Sequence, residues 1–444
     1  MQISRVPALA FVCLTGVLPS AAPAQTPDLR AQALERVVAV EPKVVAWRRD
    51  IHQHPELGNR EKRTAGLVAD HLRALGLEVR TGVAHTGVVG LLRGGRPGPV
   101  VLLRADMDAL PVTERVDVPF ASKVRAEYNG EEVGVMHACG HDTHTAILMG
   151  VAEVLAGVKD RIPGTVKFVF QPAEEGAPEG EEGGAELMVK EGVLTNPNVD
   201  AAFALHIDSR RPIGNIYYTP GATYSSSDDF RILVKGKQTH GAAPWNGIDP
   251  IVVSAHIITA LQTIVSRQMN LPERPAVVTV GKVRAGVRSN IIPEEAELVG
   301  TVRALHPDDR KAIHERLTRT ATNVAESMGA TAEVTIPFTH DYPVTMNDEK
   351  LTAAMVPVLR SVAGEDRVHS SRPRTTAEDF SFFAQEVPGL YIGLGGRPAD
   401  VAEADAPDHH TPDFFIDDSG LGLGVRAMTA MALHYLTTNA AGAR

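Results

Sequence analysis

Residues 136–176 read MHACGHDTHTAILMGVAEVLAGVKDRIPGTVKFVFQPAEEG, and they indicate both the fold class and a candidate site. Apolar residues at helical spacing predict a helix over about Thr143–Leu155, and the apolar run Thr165–Gln171 predicts a strand. A helix followed by an apolar strand is typical of a sheet that is covered by helices on both faces. The polar segments that flank this unit, HACGHD and PAEEG, carry the first candidate functional residues.

The segment HACGHD places a thiol and an imidazole two residues apart, at Cys139 and His141. In an extended strand end or loop both side chains would point the same way, whereas on a helix they would be about 200° apart. A thiolate, an imidazole and a carboxylate are the ligand set of a borderline-soft divalent ion such as zinc, cobalt, nickel or manganese. The adjacent Glu174 and Glu175 suit two tasks, one as a ligand and one as the base that takes a proton from activated water.

The first part of the chain continues the α/β pattern. It predicts helices and strands over Leu29–His52, Glu61–Leu75, Leu77–Val83, Gly87–Arg93 and Pro99–Leu103. Alternation of helices with apolar strands predicts the α/β class with a mostly parallel sheet, in which ligands bind beyond the carboxyl ends of the strands. Further candidates lie at such ends, because Asp106 and Asp108 follow VVLLR and His206 ends AAFALH.

The two aspartates share one face of an extended segment, so we expect them to orient ligating imidazoles, Asp108 in particular. His206 suits a metal ligand and equally a buried core histidine. We interpret four further histidines as structural or peripheral: His52, His54, His137 and His144.

The middle of the chain has the order β-α-β-β-α-β. The predicted elements are Asp229–Lys237, Pro250–Met269, Ala276–Arg284, Ala296–Leu305, Pro307–Met328 and Thr331–Ile336. This order describes a ferredoxin-like α+β sandwich that could fold as a unit. Because helices and apolar strands resume after Pro343, we predict a discontinuous catalytic domain, residues 25–222 and 338–444, with a lid domain inserted at 223–337.

The first 24 residues have the features of a signal peptide: Arg5, an apolar run over Val6–Leu18 and an A-x-A ending at Ala24. No later stretch approaches 18 uninterrupted apolar residues. We expect cleavage after Ala24 and a periplasmic or secreted protein with no membrane attachment once the signal is removed. Loss of Cys13 with the signal would leave Cys139 as the one thiol in an oxidising compartment, which favours a metal ligand.

Composition and missing motifs exclude several classes of protein. The chain has 444 residues, a formal net charge of −10 and 5% aromatic residues, so nucleic acid is not an expected partner. It contains no GxSxG, HExxH or P-loop motif, and Gly420, Gly422 and Gly424 indicate close helix packing. A periplasmic metal- or peptide-binding protein without turnover is the competitor from another class. The presence of Glu174 argues against it, since a binding protein needs no base.

Eight segments occur in the order seen in a known family: IHQHPELG, LLRADMDALPV, MHACGHDTHTA, FQPAEEG, VKGKQTHGAAPWNGIDP, VRSNIIPEEAELVGTVRAL, AEDFSFF and HHTPDFF. On these motifs the chain resembles the metallopeptidase-like amidohydrolases. That group includes aminoacylases, hippurate hydrolases, indole-acetyl amino acid hydrolases and related carboxypeptidases. The resemblance implies hydrolysis of the amide bond of an N-acyl amino acid. A carboxypeptidase or dipeptidase that acts on short peptides is the alternative.

The resemblance also implies two divalent ions per subunit, Zn, Mn, Co or Ni, between the catalytic domain and the lid. It implies that the lid forms a homodimer or higher oligomer, and that Glu174 is the general base. The ligands that it implies are Cys139, His141, Glu175, His206 and His410. Here His410 is preferred to His409 because it lies two residues before a proline.

Three further residues are assigned by the resemblance. His240 would be a catalytic residue that stabilises the oxyanion when the lid closes, while Asn290 and Glu378 would bind substrate. Trp245 stands where the family pattern has a histidine, after HAAxP, and this departure bears on specificity.

Overall fold

The computed structural model describes residues 1–2, 28–339 and 341–440. The predicted signal peptide, apart from Met1 and Gln2, lies outside these described residues. The α-helices are Leu29–Gln53, Lys62–Ala74, His141–Ala156, Gly184–Lys190, Pro250–Gln268, Pro307–Ser327, Glu349–Ala363, Ser381–Glu386 and Leu421–Asn439.

The larger sheet confirms the predicted α/β class. Its strands lie in the spatial order Glu78–Val83, Gly87–Arg93, Pro163–Gln171, Arg96–Asp106, Ala201–Pro212, Gly389–Arg397, Ile216–Tyr218 and Val368–Ser370. The four central strands are mutually parallel, and antiparallel pairs flank them. A mostly parallel sheet brings the carboxyl ends of the central strands to one edge.

The strand register places three predicted site segments at that edge. Asp106 is paired with Gln171, and Arg104 is paired with Ala204, so His206 lies level with Asp106 on the neighbouring strand. The polar residues that follow these strands therefore meet, although they are far apart in sequence.

Helices cover both faces of this sheet. The largest core cluster joins the sheet to the helices Leu29–Gln53, His141–Ala156 and Leu421–Asn439. A smaller cluster, which includes Met188 and Phe383, fills the opposite face. Each fully buried Leu, Val or Phe side chain contributes roughly 1.5–3 kcal/mol to stability.

The second sheet is antiparallel and matches the predicted ferredoxin-like order. Its strands lie in the order Ala276–Ala285, Glu295–Ala304, Ser227–Lys235 and Thr331–Thr335, and Asp341–Tyr342 pairs with the third. Alternate residues of Glu295–Ala304 are buried, as expected when helices cover only one face. The sheet and its two helices share a separate hydrophobic core. The domain boundaries at 222/223 and 337/338 stay predictions.

Within the described residues, the helix Pro250–Gln268 is the one whose length and apolar composition would allow it to cross a membrane. Its buried residues, among them Val253, Ile257 and Leu261, pack in the lid core. The apolar character of this helix is therefore at least partly that of a core helix, although Ile251 and Val252 are exposed.

Three short strand pairs complete the fold. They are Arg125–Tyr128 with Glu131–Gly134, Thr239–His240 with Ile291–Ile292, and Gly221–Tyr224 with Thr345–Asn347. The first pair is a hairpin that the sequence analysis missed, although Asn129-Gly130 between alternating residues is a strong hairpin signal. Both turn residues have positive φ, +52° and +82°, which Asn and Gly tolerate best.

Candidate metal centre

Gly140 forms the turn that holds Cys139 and His141. Its φ of +96° is rare for residues with a Cβ, and a Cβ there would lie 2.3 Å from Cγ2 of Ile207. His141 is the first residue of the following helix. The motif is therefore not an extended segment, as the spacing argument assumed. A left-handed turn brings the thiol and the imidazole together instead.

The five predicted ligands gather at this turn. Sγ of Cys139 lies 3.4 Å from Nε2 of His206, and Nε2 of His410 lies 2.9 Å from Oε1 of Glu175. Donor atoms of Cys139, His141 and His206 lie within 4.8 Å of one another, and so do those of Cys139, Glu175 and His410. Because Cys139 belongs to both groups, the five side chains form one donor cluster. Their role as ligands stays a prediction.

The donor cluster fits divalent cations. Among the described residues, Nε2 of His141 is buried without a hydrogen-bond partner, which is unusual unless a ligand completes it. Burial, followed by the carboxylates of Glu175 and Glu174, raises the pKa of the Cys139 thiol well above its usual range. A bound cation would supply the charge that favours the thiolate. A thiolate, imidazoles and a carboxylate suit a borderline-soft ion.

Both histidines of the His409–His410 pair reach this cluster, but by different contacts. Nδ1 of His409 lies 3.7 Å from Sγ of Cys139, and its Nε2 accepts a 3.3 Å hydrogen bond from the amide of Ser209. Burial lowers the pKa of His409 to about 4. Its Nε2 is occupied by the Ser209 amide, whereas Nε2 of His410 faces Glu175, and this difference favours His410 as the ligand.

Two non-glycine residues beside the donor cluster have left-handed backbone conformations. The φ angle is +50° at Ala173 and +62° at His410. Such strain costs about 1–3 kcal/mol and persists only where the surroundings hold it. The amide of Ala173 donates to the buried carboxylate of Glu61 at 2.9 Å, and the amide of His410 donates to the carbonyl of Ala138 at 2.8 Å. These bonds fix the direction of Glu174 and His410.

Asp108 supports two of the predicted ligands at once. Its Oδ1 lies 3.1 Å from Nδ1 of His141, and its Oδ2 accepts a 2.9 Å hydrogen bond from the amide of Glu175. This is the orienting contact that the sequence analysis assigned to Asp108. A carboxylate on Nδ1 leaves Nε2 of the same ring to face a metal.

Asp106 makes its shortest imidazole contact with His144, whose Nδ1 lies 2.6 Å from Oδ1 of Asp106. Nε2 of His144 accepts a 2.9 Å hydrogen bond from the amide of Ile207. His144 was expected to be structural or peripheral, and it is buried, with its ring centre 4.6 Å from that of His206, so it lies directly behind the donor cluster. The signal was available, since positions 141 and 144 share one face of a helix.

Glu174 connects the donor cluster to a buried group of charges. Its Oε2 lies 3.8 Å from Nε2 of His141, and its Oε1 accepts a 3.5 Å hydrogen bond from the amide of Asp379. Burial, and then Glu378, Glu175 and Asp379, raise the pKa of Glu174 well above its usual range. The phenol of Tyr342 donates to the carbonyl of Glu174 at 3.1 Å.

Arg104 is the charge that the sequence analysis missed. This fully buried guanidinium pairs with Asp106 at 2.5 Å, with Asp379 at 2.8 Å and with Glu378 at 3.0 Å. It therefore links the aspartate behind the histidines to the carboxylates behind Glu174. A cation inside the apolar run VVLLRAD was the signal, because a buried charge needs partners.

Glu378 is held by protein groups on both carboxylate oxygens. Oε1 accepts from Arg104 and from the amide of Phe380, and Oε2 accepts from the Tyr391 phenol at 2.5 Å. Its exposed fraction is 2%. Because both oxygens are occupied, this arrangement does not favour direct substrate binding by Glu378, and the predicted substrate role stays a prediction. Instead, Glu378 lies in one buried carboxylate group with Glu174 and Asp379.

His240 and Asn290 lie together on the lid. The amide of Gly241 donates to the carbonyl of Asn290 at 2.8 Å, and His240 pairs with Ile291 across two short strands. Both residues are exposed. In the described parts of the chain, the hydrogen bond of the His240 side chain is to its own lid loop, at the amide of Ala242. The structure brings the two residues to each other, and among the described residues neither makes a hydrogen bond or ion pair with the donor cluster.

Comparison with known proteins agrees with this geometry. Residues 102–434 match the profile of Peptidase family M20/M25/M40. The chain is 40% identical over 410 residues to thermostable carboxypeptidase 2 of Saccharolobus solfataricus, covering 92% of this chain and 99% of that protein. It is 36% identical over 399 residues to N-acetylcysteine deacetylase of Bacillus subtilis, covering 89% and 97%.

A solved structure shares the fold closely. A dinuclear metal-binding peptidase of the M20 family from Bacillus subtilis superposes with a TM-score of 0.75 at 32% identity, over 90% of this chain and 99% of that one. These matches cover most of the chain and most of each relative. The chain therefore belongs to the M20/M25/M40 peptidase family and is a metal-dependent hydrolase of the amidohydrolase or carboxypeptidase type.

Proposed function

We propose that this protein hydrolyses the amide bond of N-acyl amino acids, such as N-acetyl or N-benzoyl derivatives, to a carboxylic acid and an amino acid. The position of Glu174 supports the hydrolysis of an amide bond, and the 36% identity to an N-acetylcysteine deacetylase supports the N-acyl substrate. One carboxylate oxygen of Glu174 faces the donor cluster, and the other is bonded to the backbone behind it. A carboxylate held in this way can accept a proton from water on one side without leaving its place.

In this mechanism the protein groups divide the work. Cys139, Glu175 and the three histidines would hold two divalent ions, which when bound polarise the substrate carbonyl and lower the pKa of water. Glu174 accepts the proton of the attacking water and then donates it to the nitrogen of the leaving amino acid. Asp108 keeps His141 and Glu175 in place throughout.

A substrate screen tests the proposal. The protein loaded with manganese, cobalt, zinc or nickel is incubated with N-acetyl amino acids, N-benzoyl amino acids and dipeptides, and the released amino acid is quantified. Faster release from the N-acyl substrates supports the proposal. Release from dipeptides alone would contradict it and favour the second candidate.

The second candidate is a carboxypeptidase or dipeptidase that acts on short peptides. It is favoured by the 40% identity to a protein named as a carboxypeptidase. Both candidates use the same metal centre and the same base. They differ in whether the group on the acyl side is blocked or carries a free amino terminus, so the screen separates them.

His240→Ala is expected to lower turnover by about 10² to 10³ while metal content and apparent substrate affinity change only a few-fold. An imidazole delivered by lid closure would contact the oxyanion, which exists only in the transition state. Steady-state kinetics with an N-acyl amino acid, beside metal analysis, measure this. His256→Ala, at another exposed lid histidine, is the control. Unchanged turnover in His240→Ala would mean that His240 is a surface residue.

We also propose that the lid mediates a homodimer. Strand Ala276–Ala285 lies at the edge of the lid sheet and exposes Val277 and Val283, and the adjoining helix exposes Ile251 and Val252. An exposed, apolar sheet edge is a natural site for association.

We propose in addition that the protein is exported to the periplasm or medium after cleavage at Ala24. Sedimentation and N-terminal sequencing of the protein from its native host test these two points.

A further inference from the structure

A cavity of about 200 Å³ opens beside the donor cluster. Glu175 and Asp108 form its inner wall, and the tip of the hairpin Arg125–Gly134 forms its outer wall through Glu127 and Tyr128. The cavity therefore runs from the candidate metal ligand Glu175 to the hairpin, which lies outside the metal-binding motifs.

The floor of this cavity is held rigidly. Leu57 and Ala109 form a parallel bridge, and the amide of Ala109 donates to the carbonyl of Glu56 at 2.8 Å. The hairpin is seated on the same two residues, because Val124 and Ala126 pack against the small core that contains Leu57 and Ala109. The outer wall is thus fixed relative to the donor cluster by buried contacts.

The position of the base indicates which part of the substrate would occupy this cavity. Glu174 has to reach the nitrogen of the leaving amino acid, so the leaving group would lie next to Oε2 of Glu174, the oxygen that faces the donor cluster. The cavity lies on the side of Glu175 and Asp108 and is not lined by Glu174. A carbonyl placed over the donor cluster would therefore direct its acyl group into the cavity.

The lining defines the chemistry of that acyl group. Leu57, Leu110, Pro111 and the partly exposed ring of Tyr128 offer apolar surface. The Arg60 charge at the cavity is already paired with Glu181 at 2.6 Å.

The remaining charged side chains at this cavity are acidic. The carboxylate of Glu127 has no ion pair among the described residues, and Asp108 and Glu175 are acidic as well. An anionic acyl group would be repelled, whereas a neutral flat group would bury its surface against Tyr128.

We propose that this cavity is the acyl-binding subsite, that it takes neutral acyl groups of about the size of benzoyl, and that Tyr128 determines this specificity. The inference rests on the proposed function, because it assumes that an acyl group is presented at the metal centre. It goes beyond that function because it names the class of acyl group and attributes this specificity to the hairpin, which lies outside the metal-binding motifs.

Kinetics with matched substrates test this assignment. N-benzoyl, N-acetyl and N-succinyl derivatives of one amino acid are compared with the metal-loaded full chain. Tyr128→Ala is expected to lower kcat/KM for the N-benzoyl substrate about 10-fold or more and for the N-acetyl substrate by less than about 3-fold. Tyr128→Phe should keep the benzoyl preference, since the ring carries the contact. Glu127→Gln should raise kcat/KM for the N-succinyl substrate.

Glu131→Ala is the matched control, because Glu131 pairs with Tyr128 in the hairpin but does not line the cavity. Loss of preference in this control would show that hairpin stability is the cause and would overturn the role of Tyr128. An equal fall for N-benzoyl and N-acetyl substrates in Tyr128→Ala, or no change, would also overturn it.

A binding measurement separates this proposal from the proposed function. Calorimetry with benzoate and acetate, two products with the same carboxylate, should show tighter benzoate binding that Tyr128→Ala removes. If no N-acyl substrate is cleaved, the proposed function fails while this measurement still decides the cavity. Unchanged benzoate affinity in Tyr128→Ala would overturn the subsite.

Discussion

Glu174→Gln is expected to lower turnover by about 10² to 10⁴ while the metal content stays near that of the unchanged protein. Glutamine keeps the size and polarity of the side chain but cannot take a proton from water. The bond from the amide of Asp379 to Oε1 can be kept by the amide oxygen, so the side chain should hold its position. Steady-state kinetics and metal analysis of the same preparation measure both quantities.

The neighbouring glutamate provides the matched control. Glu175→Gln should lose metal first, and activity should fall with the metal, because Glu175 lies with Cys139 and His410 in one donor group. If Glu174→Gln empties the site while Glu175→Gln retains metal, the two roles are exchanged. That result would contradict the assignment of the base.

Removal of metal by a chelator is expected to abolish hydrolysis, and manganese, cobalt, zinc or nickel should restore it. Without a cation, burial and the nearby carboxylates keep the Cys139 thiol protonated, and the substrate carbonyl lacks a Lewis acid. Activity is followed after chelation and during titration with each metal, with circular dichroism to show that the fold persists. Undiminished turnover in a metal-free preparation would refute a metal-dependent mechanism.

Local patterns in the sequence predict much of the fold. The helix predicted at Leu29–His52 is found at Leu29–Gln53, and the strand Gly87–Arg93 is found with the same bounds. These elements have strong periodicity or β-branched runs, which act over a few residues. The β-α-β-β-α-β order also predicts the strand arrangement of the lid sheet, because few topologies with this order pack both helices against the same face of one sheet.

The contacts behind the site depend on distant residues and could not be predicted in the same way. Arg104 meets Glu378 and Asp379 only because the sheet and the later loop converge. The turn at Gly140 overrode the extended geometry that the two-residue spacing suggested. A spacing rule states where side chains point in a regular element, and this motif lies at a helix start.

The pocket residues illustrate a different limit. Tyr128 lies in a hairpin whose turn signal was legible, but its position beside Glu175 follows from the tertiary packing of Val124 and Ala126. His409 and His410 are adjacent in sequence, and the family pattern prefers His410, but their different contacts, with the Ser209 amide and with Glu175, are visible only in the structure. Identity of residue type alone carries no such information.

Anomalous X-ray scattering from crystals of the metal-loaded protein, recorded at the absorption edge of the metal, tests the central claim most directly. The account predicts two peaks within about 2.0–2.4 Å of donor atoms from Cys139, His141, Glu175, His206 and His410, with Glu174 uncoordinated. Peaks that leave out Cys139 and Glu175, or a peak that Glu174 coordinates directly, would contradict it.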